Sequence, residues 1–233
     1  MCIRDRHQLL QELKTGGQWI VLTEAIGLTG QVCLALNHAH RQGVLHRDIK
    51  PANIMLKPEA SNGLPYRPVL TDLGLAKLLE GQGLTREGTS MGTPAYMSPE
   101  QAVGQKTDAR SDVYSLGILL YELALGRLPF PARTITEAIR YHTREDPPPP
   151  RSIRPDLPLF LERVILRALT KNPAQRFPDA GAMAQALEAI APTIAQVAAS
   201  TVVEGSVSLI TQIERTILDE SAEPVRDPDP TPP

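Results

Sequence analysis

One short stretch decides the fold of this chain: His46-Arg47-Asp48-Ile49-Lys50-Pro51-Ala52-Asn53. It places an acid, a base and an amide within eight residues, with the amide five positions after the acid. These groups suit an acceptor for a hydroxyl proton, a cation for a phosphate and an oxygen ligand for a metal ion. Phosphoryl transfer requires such a set, because it depends on positioning and charge neutralisation more than on covalent chemistry. The pattern therefore predicts a catalytic loop over residues 46–53.

The composition excludes several classes of protein. The 233 residues are 42% hydrophobic and carry a formal net charge of −2, which is ordinary for a globular domain and gives no basic surface for nucleic acid. No apolar run approaches the ~18 residues of a membrane span, and no leader sequence is visible. We therefore expect a cytoplasmic location, no nucleic-acid partner and no membrane segment. Cys2 and Cys33 form no disulfide framework, so both are expected to be free thiols.

The periodicity of apolar residues predicts the elements around the loop. Steps of three and four residues predict a helix over residues 23–42, ended by Gly43 in a left-handed cap. Two apolar runs at residues 54–56 and 69–71 predict a small hairpin after the loop. Residues 112–125 are apolar on nearly all sides, which predicts a helix at the centre of the core.

The loop resembles the catalytic loop of eukaryotic-type (Hanks-type) serine/threonine protein kinases. A second string, residues 92–101 (GTPAYMSPEQ), resembles the family's substrate-docking loop and its Ala-Pro-Glu terminator, with Ser98 in the alanine position. This string is especially similar to bacterial members of the family. The resemblance implies a mainly α fold, namely the helical C-terminal lobe of a protein kinase with short β-hairpins at the catalytic cleft.

We divide the chain into three segments on this basis. Residues 1–6 do not resemble the hinge that the family has here, and we expect a truncated or non-native start. Residues 7–192 are the expected kinase lobe, with an activation segment over 72–100. Residues 193–233 are expected to be a linker or tail that is largely disordered, because its end is acidic and rich in proline, with a short helix over 206–219.

The resemblance implies catalytic roles for four residues. Asp48 would accept the proton of the substrate hydroxyl or orient that hydroxyl, and Lys50 would neutralise the transferring phosphate of ATP. Asn53 would hold Mg²⁺, and Thr93 would support Asp48 and Lys50. The implied substrates are serine and threonine hydroxyls of proteins.

ATP and Mg²⁺ are the cofactors that the resemblance implies. Asp72 opens an Asp-Leu-Gly tripeptide where the family has Asp-Phe-Gly. Such a tripeptide alone usually marks only a turn, but its place after a predicted strand favours the metal role. Asn53 and Asp72 would hold Mg²⁺ through oxygen ligands. Met55 would form part of the floor beneath adenine, although core packing is the commoner role of a methionine on a strand.

Five further residues would support the site. His46 is expected to be a packed structural histidine rather than an acid or a base, and Arg47 lies beside the catalytic aspartate. Asp112 would hold the backbone of the catalytic loop from below; the plain alternative is that Asp112 or the serine before it only caps the helix. Arg176 would form a buried ion pair with Glu100 that is structural rather than catalytic.

Residues 77–91 are polar and rich in glycine, and their hydroxyl side chains are candidate phosphorylation sites. These side chains belong to Thr85, Thr89 and Ser90. A phosphate added there could pair with Arg47 and order the segment. The alternative is an inert surface loop whose hydroxyls only cap turns.

The sequence contains no Gly-x-Gly-x-x-Gly stretch ahead of a Val-Ala-Ile-Lys-like strand. We therefore expect a fragment of an ATP-dependent serine/threonine kinase that is inactive, or nearly so, by itself. The alternative function is a non-catalytic kinase-like lobe that acts as a binding or scaffold module. The presence of Asp48, Asn53 and Asp72 favours the kinase.

Overall fold

The computed structural model describes residues 19–57, 66–73, 94–200 and 206–207, which are mainly helical as predicted. The helices are α1 (Leu22–Arg41), α2 (Pro99–Ala102), α3 (Ala109–Leu125), α4 (Ile135–Arg144), α5 (Pro150–Ile153), α6 (Leu159–Ala168) and α7 (Ala180–Ser200). The strands are β1 (Trp19–Ile20), β2 (Ile54–Lys57), β3 (Arg67–Leu70) and β4 (Ser206–Val207).

Helix α3 forms the centre of the core, as its sequence predicts, and every residue from Ser111 to Leu125 is buried. It begins earlier than predicted, because Asp108 is its N-cap and accepts a hydrogen bond from the backbone N–H of Arg110 at 2.8 Å. The alternative in which Ser111 or Asp112 only caps the helix was therefore wrong. Asp112 lies within the first turn, where its carboxylate can reach another element.

Helices α1, α6 and α7 pack around α3, and α7 also packs against α1 and α6. The approach of α3 to α6 is close, because a Cβ added at Gly117 would lie 2.8 Å from the Cβ of Ala168. On α1 the buried face includes Leu28, Val32 and Cys33, and the Cys33 thiol is free, as expected. Cys2 lies outside the described residues. In the part of the chain that the structure describes, no helix is both long enough and apolar enough to cross a membrane.

Strands β2 and β3 pair in antiparallel register, with Ile54 opposite Leu70, which confirms the predicted hairpin. The side chains of β2 alternate: Ile54 and Leu56 are buried, whereas Met55 is 40% exposed. A methionine on the outward face of the strand does not pack in the core, so that alternative for Met55 is wrong. The hairpin lies directly after the catalytic loop in the chain.

The C-terminal part departs from the expected linker. Helix α7 continues through Pro192 to Ser200, beyond the predicted end of the lobe at 192. Alanines and glutamine after the proline favour helix, and this preference outweighs the single backbone hydrogen bond that a proline removes. Strand β4 pairs in parallel with β1, so residues 206–207 are not the start of a helix. The rest of the predicted helix, and residues 1–6, lie outside the described residues.

Candidate active site

The catalytic loop follows α1 through a left-handed turn. Gly43 has φ +76°, which a glycine adopts without steric cost, and its N–H donates to the carbonyl of His40 at 2.9 Å. The N–H of Val44 donates to the carbonyl of Ala39 at 3.0 Å. The turn therefore aims the chain away from the helix and into the loop that carries Asp48.

Three predicted site residues form one hydrogen-bonded group. Lys50 Nζ donates to Asp48 Oδ2 at 2.9 Å, and Asn53 Nδ2 donates to the same oxygen at 3.0 Å and to the Asp48 carbonyl at 2.8 Å. A 3₁₀ turn over Pro51–Asn53 brings the asparagine back to the aspartate. The side chains of Asp48 and Lys50 are 24% and 18% exposed, so solvent or a substrate can reach them. The arrangement places a carboxylate and a cation side by side.

Asp112 of α3 lies beneath the loop and contacts its backbone. Its Oδ2 accepts from the His46 N–H at 2.9 Å and its Oδ1 from the Arg47 N–H at 2.7 Å. The ring of His40 donates to Oδ2 at 2.8 Å, a contact that the sequence analysis missed. The position of His40 in the last turn of α1 was the available signal, but a histidine there usually only complements the helix dipole.

Two hydrogen bonds connect the exit of β3 to the catalytic loop. The N–H of Thr71 donates to the Asn53 carbonyl at 2.9 Å, and the buried His46 ring donates to the Thr71 carbonyl at 3.0 Å. The next residue, Asp72, is exposed and has φ +55°. Asp72 thus directly follows a residue that is hydrogen-bonded to the loop, and the contacts of His46 are its packing and its hydrogen bond to the Thr71 backbone.

Asn53 and Asp72 offer an amide oxygen and a carboxylate, which are hard donors suited to Mg²⁺. The amide nitrogen of Asn53 is used by Asp48, so Oδ1 is the atom that could reach a metal ion. Among the described residues, no group of three or more His, Cys, Asp and Glu side chains could hold a metal by itself. This donor set fits Mg²⁺ that is bound together with phosphates, since Mg²⁺ commonly uses only one or two protein carboxylates.

A second group of charged residues is built around Arg176, which forms a bidentate ion pair with Glu100. Arg176 Nη1 and Nη2 lie 2.8 and 2.9 Å from the two carboxylate oxygens, and Ser111 Oγ donates to Glu100 Oε1 at 2.6 Å. The guanidinium also donates to three backbone carbonyls. Burial raises the pKa of Glu100, but the hydrogen bonds from Arg176 and Ser111 outweigh it and the net pKa is lowered. Both side chains are nearly inaccessible, so this pair is structural.

Arg47 has φ +64°, which is uncommon for a residue with a side chain. Its Nε is buried and has no hydrogen-bond partner among the described residues. Its carbonyl accepts from Gln101 Nε2 at 2.8 Å, another contact that sequence reasoning missed, because a glutamine in a short helix carries no distinguishing signal. The predicted residues Thr93, Thr85, Thr89 and Ser90 lie outside the described residues.

A family model and several known proteins are similar to this chain. A family model described as protein kinase domain matches residues 4–188. The serine/threonine-protein kinase pkn3 of Myxococcus xanthus is 43% identical over 195 residues, which is 80% of this chain and 34% of that protein. PknB of Mycobacterium tuberculosis is 42% identical over 161 residues, 68% of this chain and 25% of that protein. The crystal structure of the M. tuberculosis PknI kinase domain superposes with a TM-score of 0.57 at 28% identity and covers 79% of this chain and 61% of that one. The chain thus spans about a third or less of the two curated relatives.

Proposed function

Because this chain belongs to the protein kinase family, we propose that it is the C-terminal lobe of a serine/threonine kinase. When complete, the protein transfers the γ-phosphate of ATP to serine or threonine hydroxyls of proteins. The observation that carries the proposal is the group formed by Asp48, Lys50 and Asn53, in which a partly exposed carboxylate accepts from both of the other side chains. The glycine-rich, ATP-covering lobe would be encoded outside these 233 residues.

In this proposal each residue of the cleft acts on a different part of the reaction. Asp48 orients the substrate hydroxyl and accepts its proton, and its hydrogen bonds from Lys50 and Asn53 fix the carboxylate in advance. Lys50 contacts the transferring phosphate, whose negative charge it balances. Mg²⁺, held by Asn53 and Asp72, supplies charge neutralisation of the phosphates when bound. Thr93 supports Asp48 and Lys50.

Met55 forms part of the adenine floor. Its 40% exposure on the outward face of β2 supports this role, because an exposed apolar side chain beside a polar cleft is available to an apolar ring. The location we propose is the cytoplasm, where ATP is present.

Regulation by phosphorylation is part of the same proposal. Arg47 has a buried Nε without a partner in the described part of the chain, and a phosphate on Thr85, Thr89 or Ser90 would supply acceptor oxygens for that guanidinium. Mass spectrometry of the full-length protein after incubation with ATP and Mg²⁺ should find phosphate on at least one of the three hydroxyls. A fully active protein without phosphate on any of them would contradict this regulation.

The test of the activity is a phosphate-transfer assay on the full-length protein with labelled ATP and a mixture of protein substrates. We expect transfer by the wild type and a decrease of roughly 10²- to 10⁴-fold in Asp48→Asn, because the proton acceptor is lost while the shape of the side chain is kept. The melting temperature of Asp48→Asn should stay near that of the wild type. A folded full-length protein without any transfer would refute the kinase and leave a binding or scaffold module.

A further inference from the structure

The side chain of Gln101 uses its two ends for different partners. Its Oε1 accepts from the backbone N–H of Ser98 at 2.9 Å, which is one half of a capping box at the start of α2. The other half is the Ser98 hydroxyl, which accepts from the Gln101 N–H at 3.3 Å. The Nε2 of Gln101 leaves the helix altogether and donates to the Arg47 carbonyl at 2.8 Å. A helix cap requires only the first of these side-chain contacts.

The Arg47 carbonyl is a sensitive point of the catalytic loop. It belongs to the same planar peptide group as the N–H of Asp48, so its direction fixes the orientation of the first backbone atoms of Asp48. Arg47 itself has φ +64°, a conformation that persists only where surrounding contacts impose it. The N–H of Arg47 donates to Asp112 Oδ1 at 2.7 Å, and its carbonyl accepts from Gln101 Nε2 at 2.8 Å, so contacts fix both sides of the residue.

We propose that Gln101 is a positioning residue that acts through the Arg47 carbonyl to hold Asp48 in its reactive place. This inference rests on the proposed kinase function and extends it. Gln101 stands directly after the Ser98-Pro99-Glu100 terminator of the activation segment, so its amide joins the end of that segment to the catalytic loop. A displacement of α2 is transmitted to the peptide group ahead of Asp48.

Two substitutions separate positioning from helix capping. Gln101→Glu keeps an oxygen for the Ser98 N–H and adds a favourable charge to the first turn of α2, but it sets an acceptor against the Arg47 carbonyl. Ser98→Ala is the matched control, because it removes the other capping bond and keeps both side-chain contacts of Gln101. Gln101→Met has a similar length and neither amide atom, so it also loses the bond from the Ser98 N–H and serves only to check that the effect of Gln101→Glu is not due to the added charge.

Steady-state kinetics of the full-length protein give the first measurement. We expect Gln101→Glu and Gln101→Met to lower kcat roughly tenfold or more, because a small misplacement of a reacting group costs that much, while the KM for ATP stays within about twofold. Ser98→Ala should keep kcat within about twofold of the wild type. A wild-type kcat in both Gln101 variants overturns the proposal. So does an equal loss of kcat in Ser98→Ala, which would trace the effect to helix stability.

Amide hydrogen exchange of the 233-residue chain gives a second measurement that needs no activity. The N–H groups of His46 and Arg47 are bonded to Asp112, and their protection should fall roughly tenfold in Gln101→Glu and remain near the wild-type value in Ser98→Ala. Unchanged protection in Gln101→Glu overturns the proposal. If the full-length wild type transfers no phosphate, the kinase function fails, and the exchange result alone decides whether Gln101 holds the loop.

Discussion

In the buried region around Arg176, called the base here, the carboxylate of Glu100 lies between a guanidinium and a serine hydroxyl, and its side chain is 6% exposed. At the cleft, the carboxylate of Asp48 accepts from Lys50 and Asn53, yet its side chain is 24% exposed. Each of the two carboxylates accepts hydrogen bonds from two other side chains. They differ in whether anything from outside can still reach them.

The difference separates two uses of charge in one lobe. A buried pair with all of its hydrogen bonds inside the protein resists exchange with solvent and fixes how α2 and the segment after α6 meet. A partly exposed carboxylate such as that of Asp48 is held in one orientation by its hydrogen bonds but stays within reach of a ligand. We therefore expect substitutions at the base to change the free energy of unfolding, and substitutions at the cleft to change activity or ligand affinity.

Removal of one member of the buried pair should give the largest loss of stability. Arg176→Met leaves Glu100 buried without its cation, and we expect the free energy of unfolding to fall by about 3–5 kcal/mol. Urea unfolding of the 233-residue chain measures this. Arg163→Met is the control, because Arg163 is exposed and its loss should change stability by no more than about 0.5 kcal/mol. Equal losses of stability in Arg176→Met and Arg163→Met would contradict the view that the buried ion pair stabilises the lobe.

A second effect at the base depends on pH. Burial, and then the nearby charge of Lys171, lower the pKa of His142 from 6.5 to about 4, so the folded protein binds this proton less well than the unfolded chain. The contribution of His142 to stability is fully present above pH 6.5 and is lost as the pH falls towards 4, by up to about 3 kcal/mol.

Unfolding of the wild type and of His142→Gln between pH 7 and pH 5 tests this effect. That window lies above the range in which Glu100 titrates, because the pKa of Glu100 is lowered from 4.5. Stability should fall with decreasing pH in the wild type and depend less on pH in the variant. Parallel curves would show that the buried histidine does not titrate as expected.

Asp112 bonds to the catalytic loop, and its neighbour Ser111 bonds to Glu100. A substitution at Asp112 should therefore change both the stability of the lobe and the activity. Asp112→Asn keeps one acceptor and turns an amide NH₂ towards a backbone N–H of the catalytic loop, so we expect a loss of about 1–3 kcal/mol in stability. In the full-length protein we also expect roughly tenfold lower kcat, because the loop is less well placed. Asp108→Asn is the control at the N-cap of the same helix, where asparagine is as good as aspartate. If Asp112→Asn changed only stability or only kcat, Asp112 would act in the buried base alone or in the cleft alone.

The smallest effect on stability is expected at Met55. Because Met55 is 40% exposed, Met55→Ala should change the free energy of unfolding by no more than about 0.5 kcal/mol. The KM for ATP of the full-length protein should rise roughly tenfold, since an apolar contact with adenine is lost. Leu34→Ala on α1, where Leu34 is 53% exposed, should change neither quantity. An unchanged KM in Met55→Ala would remove this residue from the adenine floor.

The local sequence was sufficient to predict elements whose structure depends on one short stretch of residues. The catalytic loop, the hairpin and the all-apolar α3 follow from short patterns, and Gly43 has the predicted left-handed φ. The ion pair of Glu100 and Arg176 was expected only through the family resemblance, because 76 residues separate its members. Local patterns describe the element that a residue belongs to, but they do not specify its partner.

The remaining contacts depend on tertiary structure. His40 bonds to Asp112, and Gln101 bonds to Arg47, each on a different element of the fold. In the sequence, His40 and Gln101 look like ordinary helix residues. The start of α3 was misplaced because Asp108, Ser111 and Asp112 are all residue types that can cap a helix, and only the backbone path selects Asp108. The pairing of β1 with β4 involves two residues on each strand, too few for a periodic signal.

The left-handed backbone at Arg47 and Asp72 has a consequence for directed evolution of this lobe. At φ +64° and +55°, glycine would remove the steric cost that a residue with a Cβ has in this backbone conformation. The same replacements would delete the carboxylate that is proposed to hold Mg²⁺ and the guanidinium that is proposed to bind a regulatory phosphate. A library selected only for heat resistance should therefore accumulate changes at Asp72 that impair transfer and changes at Arg47 that impair its regulation, and a library selected for regulated transfer should retain both residues.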